Sequence, residues 1–164
     1  MAYQDVVPAG SVQIDSWREN SVEVASPTAL APLGTVPGGY AQIVANSAAF
    51  SAQTDTVGLA ITVTTVAGRR YRLSAFSQGI YGTAGEVFSL ELWEGGTRLQ
   101  ACTGTCAAAV PYNGTMAPSV ILVAPTPGAH TYKVSAIRNS GTNTAVVGAG
   151  VQSPTYILLE DIGV

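Results

Sequence analysis

The sequence predicts an all-β fold: an antiparallel β-sandwich or jelly roll carrying an extended N-terminal arm. Three observations predict it. From Tyr40 onward, apolar residues recur at alternate positions in short runs, the period of a strand with one buried face. Glycine and proline clusters separate these runs at the spacing of an all-β domain. No segment shows the helical period, and Gly 18 and Pro 9 disfavour helices further. A chain of 164 residues has room for one full core. The expected organisation is an arm over residues 1–38 and a sandwich domain over 39–164.

The arm reading rests on four prolines, Pro8, Pro27, Pro32 and Pro37, set among Gly, Ser and acids. Proline fixes extended, turn-rich backbone. The segment still carries Val6, Val7, Val12, Ile14 and Trp17. Such side chains need cover, either from the chain's own domain or from a partner, and they are the candidate attachment residues. VQID and SVEV within it alternate as short strands do.

The sandwich elements follow in order. YAQIVA alternates and stops at Asn46-Ser47. GLAITVTTV puts Leu59, Ile61 and Val63 on one face and Thr62 and Thr64 on the other. Gly68 turns the chain into RYRLSAF, where Tyr71, Leu73 and Ala75 oppose Arg70, Arg72 and Ser74. Val87 to Glu94 places Phe88, Leu90 and Leu92 inward, with Ser89, Glu91 and Trp93 outward. Glu94-Gly95-Gly96-Thr97 reads as a two-residue hairpin turn into RLQAC. SVILVAP and HTYKVSAIR follow, then TAVVGAG and PTYILLEDI.

The closing strand is apolar at consecutive positions, so both of its faces need burial. TAVVGAGV supplies small residues that suit close approach of another backbone. Val146, Val147, Tyr156, Ile157, Leu158 and Leu159 are therefore the candidate oligomer seam. Charge supports self-association. Only 10% of the chain is charged while 47% is apolar, against about 25% charge in an ordinary soluble chain. Burying surface between copies is one way to dispense with ionic cover.

The same inventory excludes several chemistries. A net charge of −3 disfavours a nucleic-acid partner, which needs clustered cations. The one cluster, Arg69, Arg70 and Arg72, reads as a solvated strand end or as ion-pair partners for nearby acids. No apolar run is long enough to cross a bilayer. The N-terminus lacks the basic and apolar regions of a signal peptide, so synthesis in a cytoplasm is expected. One histidine, His130, and two cysteines, Cys102 and Cys106, fall short of a zinc set. No cofactor, metal or catalytic constellation is expected, and His130 reads as a surface or turn residue. Cys102 and Cys106 either close a local disulfide across a Gly104 turn or stay reduced. Glu91 and Glu94 read as exposed strand carboxylates and not as a glycosidase pair. Asn113-Gly114-Thr115 reads as a turn. Trp93 with Tyr81 and Tyr112 would make a sugar platform if they converged, but strand aromatics are more often packing.

Several motifs agree in order with one family. GYAQIVANSAAFSAQTDTVGLAITVTTVAGRRYRLSAF, LELWEGGTRLQ, PGAHTYKVSAIRNSGTNTA and SPTYILLEDIGV resemble a domain of small virion structural proteins of actinobacterial tailed bacteriophages, the decoration and minor tail proteins. The resemblance spans residues 39 to 163 and departs over Cys102 to Pro118. It implies a non-enzymatic virion component made in the host bacterial cytoplasm. The leading expectation is a head decoration protein on the virion surface, a homotrimer attached through its arm to the major capsid protein or another virion protein. The alternatives are a minor tail protein or a carbohydrate-binding module that holds a host-surface glycan.

Overall fold

The computed structural model describes residues 17–19, 22–24, 34–107 and 114–164. Two compact units divide the chain, 1–32 and 33–164. In the first, β1 (Trp17–Glu19) and β2 (Val22–Val24) form an antiparallel hairpin with Trp17 opposite Val24. β2 lies in the SVEV segment. The attachment candidates Val6, Val7, Val12 and Ile14 lie outside the described residues.

The second unit holds β3 (Gly34–Ile43), β4 (Thr54–Thr65), β5 (Arg70–Phe76), β6 (Ile80–Tyr81), β7 (Val87–Glu94), β8 (Thr97–Thr105), β9 (Ser119–Val123), β10 (Gly128–Ser140), β11 (Val146–Val147) and β12 (Thr155–Gly163). No helix occurs among the described residues. Two four-stranded antiparallel sheets carry the fold, in the orders β3-β12-β5-β9 and β4-β10-β7-β8. We call them the β12 sheet and the β10 sheet. Counting only their eight strands in chain order, one sheet reads first, eighth, third, sixth and the other second, seventh, fourth, fifth. That is the double Greek-key order of a jelly roll. A small β6–β11 pair flanks them.

Alternation builds the core as expected. Leu59, Ile61 and Val63 of β4, Tyr71, Leu73 and Ala75 of β5, Phe88, Leu90 and Leu92 of β7, and Tyr132, Val134 and Ala136 of β10 join Ile157 and Leu159 in one buried cluster. Each sheet contributes one face, so both sheets exist only while packed together.

Irregularities fall where the sequence has breakers. Of residues 34–38, assigned to the arm from sequence, Gly34 and Thr35 already pair in the sheet, opposite Asp161 and Glu160, and Tyr40 next opposes Leu158. The partner strand advances by two residues while β3 advances by five, so Val36-Pro37-Gly38-Gly39 bulges out of register. Proline is tolerated there because β3 is an edge strand. β4 has a similar irregularity opposite Val134, with Gly58 at φ +83°, a backbone state that favours glycine. The two-residue Gly95-Gly96 turn joins β7 to β8 as expected.

TAVVGAG forms only a two-residue strand. Its small residues do admit another backbone, but from the same domain. Gly148 N–H donates to the Gly79 carbonyl at 2.8 Å, and a Cβ on Gly148 would lie 2.2 Å from the Tyr81 ring. The loop before β11 is anchored by Glu86, buried at the start of β7. Its carboxylate accepts the backbone N–H groups of Thr142 (2.8 Å), Asn143 (3.0 Å) and Thr83 (3.3 Å). The Asn143 N–H leads in holding this carboxyl below its usual range.

One core group has no hydrogen-bond partner among the described residues, the hydroxyl of the fully buried Tyr132. Burial pushes it up to about 12. An unpaired buried hydroxyl carries its desolvation cost uncompensated. Tyr132→Phe is therefore expected to stabilise the domain by about 1 kcal/mol, read as a higher urea midpoint at unchanged slope. Leu73→Ala in the same core is expected to cost about 2–5 kcal/mol.

Candidate functional site

The inner faces are committed to the core, so function falls to the outer faces. The β12 sheet is the more apolar outside. Period-two geometry points Tyr156, Leu158 and Glu160 outward from β12, while Ile157 and Leu159 go inward at 0% exposure. Tyr156 stacks on Phe76 of β5, centroids 5.6 Å apart, and lies 5.9 Å from the Tyr40 ring of β3. Tyr40 is 47% exposed, Ile121 43% and Val123 69%. The aromatic cluster thus borders Leu158, while Ile121 and Val123 of β9 stand apart from it, beside Arg72 and Arg70 of β5. The basic cluster edges this face. Arg69 donates through Nε and Nη2 to Asp161 at 2.5 and 2.8 Å, and Arg72 donates to Glu160 at 2.8 Å. Partial burial pushes the Asp161 carboxyl up, and the Arg69 fork outweighs it and leaves it below its usual range. Arg69 and Arg72 are therefore ion-pair partners, one of the two roles open from sequence.

The predicted seam is divided by these facts. Val147, Ile157 and Leu159 are buried in the core and are removed from any seam, because alternation turns them inward. Tyr156 and Leu158 remain on the outer face. Val146 is half-buried at another place, lining a shallow groove with Tyr81, Gly82, Thr83, Thr144 and Ala145. Tyr40, Phe76, Ile121 and Val123 were not singled out from sequence. Phe76 sits at a polar-phase position of RYRLSAF, and that was the available signal.

The β10 sheet is polar outside and more buried than expected. Glu91 is 1% exposed, so its reading as an exposed carboxylate is corrected. Three long side chains arch over it. Trp93 Nε1 donates to Glu91 Oε2 at 2.8 Å, Gln53 donates to the same oxygen at 3.3 Å, and Arg98 donates to Oε1 at 3.0 Å. In the next columns, Asp55 accepts from Lys133 Nζ at 2.7 Å and from Ser135 Oγ at 2.5 Å. The Lys133 hydrogen bond leads in lowering the Asp55 carboxyl. Ser89 pairs with Thr103 at 2.6 Å and accepts from Asn139 at 2.6 Å. Trp93 and Tyr81 sit on different strands in different sheets, and Tyr112, the third aromatic of the sugar platform weighed against packing, lies outside the described residues.

His130 is less exposed than a turn residue. It stacks on Tyr132 with centroids 6.0 Å apart. Its Nδ1 lies 2.5 Å from Glu94 Oε1 and its Nε2 lies 2.7 Å from the Thr126 carbonyl. Both ring nitrogens face acceptors, which only the imidazolium can satisfy by donating twice. The Glu94 carboxylate first, then the Thr126 carbonyl, raise its pKa. Cys102 and Cys106 are free thiols. β8 runs extended through Gly104, so no turn forms there. Four residues of strand span about 13 Å, beyond disulfide reach. Asn113 lies outside the described residues. Among the described residues, no group of three His, Cys, Asp or Glu side chains converges to hold a metal ion, and no helix is long and apolar enough to cross a membrane.

Comparison with known proteins finds no matching family model and no matching curated protein.

The His130 latch sets a pH dependence. A raised histidine pKa contributes stability that is fully present below the unfolded value near 6.5 and is lost as pH rises through the folded value. Asp55 and Asp161 are lowered, so their contributions are present above about 3.8 and fade as pH falls. Melting temperatures should show the native chain losing stability relative to His130→Gln as pH climbs from about 6 to about 9, through the raised histidine value. Parallel curves would contradict the latch.

Proposed function

We propose that this chain is a non-enzymatic structural protein of a tailed-bacteriophage virion, a decoration protein of the head that self-associates as a trimer and attaches through its N-terminal segment. The observation that carries the reading is the outer face of the β12 sheet, where stacked Tyr156 and Phe76, Tyr40, Leu158, Ile121 and Val123 stand on a rigid jelly-roll surface. Aromatic and aliphatic side chains gathered on one outer face mark an interaction site. The Glu160–Arg72 pair, in one row with Ile121, gives it both signs of charge, so a second copy can meet it without net repulsion. Jelly rolls are common in viral shells. The motif resemblance over residues 39 to 163 supports the virion assignment. Attachment through Trp17 and the aliphatic residues before it rests on composition: they are apolar side chains in a proline-punctuated segment.

Burying Leu158 between copies is worth about 1.5–3 kcal/mol per subunit. Sedimentation equilibrium of the full chain at micromolar concentration is expected to give a trimer. Leu158→Glu is expected to give a folded monomer with an unchanged β-type circular dichroism spectrum. A wild-type monomer would sink the self-association reading. Attachment is tested separately by deleting residues 1–32 and measuring occupancy on particles, which is expected to fall to background. Copy number per particle discriminates head from tail: hundreds for a decoration protein, a handful for a minor tail protein.

A further inference from the structure

The outer face of the β10 sheet holds an arrangement that self-association does not use. Trp93 of β7 sits between two cations in register, opposite Lys133 of β10 and Arg98 of β8. In the adjoining row, Asp55, Ser135, Glu91 and Ala101 follow one another across the four strands. Each cation is paired to an acid of that row: Lys133 to Asp55 at 2.7 Å and Arg98 to Glu91 at 3.0 Å.

We propose that this face is a binding site for a neutral polysaccharide, with the Trp93 indole as its stacking platform. Four features point to that ligand class. First, the indole is held down. Its Nε1 donates to Glu91 two residues away on the same face, and that carboxylate is buried and takes three donors. An indole tied at its edge to a buried carboxylate is restrained against the sheet, with its ring half-buried. Second, the polar groups around it are pre-oriented. Lys133, Asp55, Arg98 and Gln53 are each fixed by a partner, which lowers the entropy of ordering them on binding. Third, they retain capacity. The Asp55 side chain is 56% exposed and Arg98 58%; a carboxylate has about four acceptor sites and a guanidinium five donors. Fourth, two cations and two carboxylates cancel. An anionic or cationic ligand gains little net attraction there, while a polyhydroxylated ring finds donors and acceptors on both sides and an aromatic face for its C–H groups.

The site does not depend on the trimer reading, since it lies on the other sheet. Titration of the full chain with neutral hexasaccharides (cellohexaose, maltohexaose, mannohexaose and xylohexaose), followed by isothermal calorimetry, tests it. Tryptophan fluorescence in a Trp17→Phe background reports on Trp93 alone. At least one hexasaccharide is expected to bind and to shift Trp93 emission. Trp93→Ala is expected to weaken that binding roughly tenfold or more, with Trp93→Phe retaining part of it. Binding is expected to survive high salt, since no net charge is engaged. The monomeric Leu158→Glu variant is expected to bind as the wild type does. No binding to any of the four sugars at millimolar concentration, equal binding by a folded Trp93→Ala protein, or loss of binding in high salt would each overturn the proposal.

Discussion

Everything in the sandwich depends on the chain's last strand being a central one. β12 lies between β3 and β5, so the β3 edge joins its sheet only through residues near the C-terminus. Ile157 and Leu159 are fully buried between the sheets, and Thr155 donates its hydroxyl to the Gly148 carbonyl at 2.5 Å. The same strand turns Tyr156 and Leu158 to the opposite side. One strand therefore closes the core and builds the apolar outer face. Its pairing partners are far away in sequence, so the closure entropy of a long loop is met before those contacts form. That places the fold among the slow, non-local β topologies.

The scarce charges are spent in pairs on the two sheets. Arg69 and Arg72 meet Asp161 and Glu160 on the β12 sheet. Lys133 and Arg98 meet Asp55 and Glu91 on the β10 sheet, and His130 meets Glu94 at its end. Such pairs add little stability where they are exposed. Their effect is on orientation: they hold long side chains against the sheet and set which groups face outward. The two faces differ as a result. One presents aromatic and aliphatic surface, and the other presents polar groups around a single tied indole.

Much of the fold was legible because strand alternation is a local property. RYRLSAF, VFSLELWE and HTYKVSAIR each declared their inner faces, and the Gly95-Gly96 turn fixed the register that places Trp93 opposite Arg98. β6 was not foreseen, since Ile80 and Tyr81 are too short a run to show a period. The site was legible in part. The closing strand's consecutive apolar residues announced two buried faces, yet which residue took which face waited on register. The burial of Glu91 was not foreseen. Its cover comes from Gln53, just before β4, and Arg98 on β8, and no local pattern says that an outward carboxylate will be roofed by side chains from neighbouring segments.

The sequence by itself determined the class of fold, the inner residue sets of its longer strands and an exterior short of charge. All are consequences of spacing and composition within a few residues. Only the tertiary structure decided that Leu158 faces out while Val147 faces in, and that Gly148 receives Tyr81 of its own domain. It also decided that Cys102 and Cys106 are held apart along an extended strand and that a buried carboxylate ties down Trp93. Each of these depends on which distant strand lies alongside. That choice is set by how two sheets share one core, and local alternation carries no information about it.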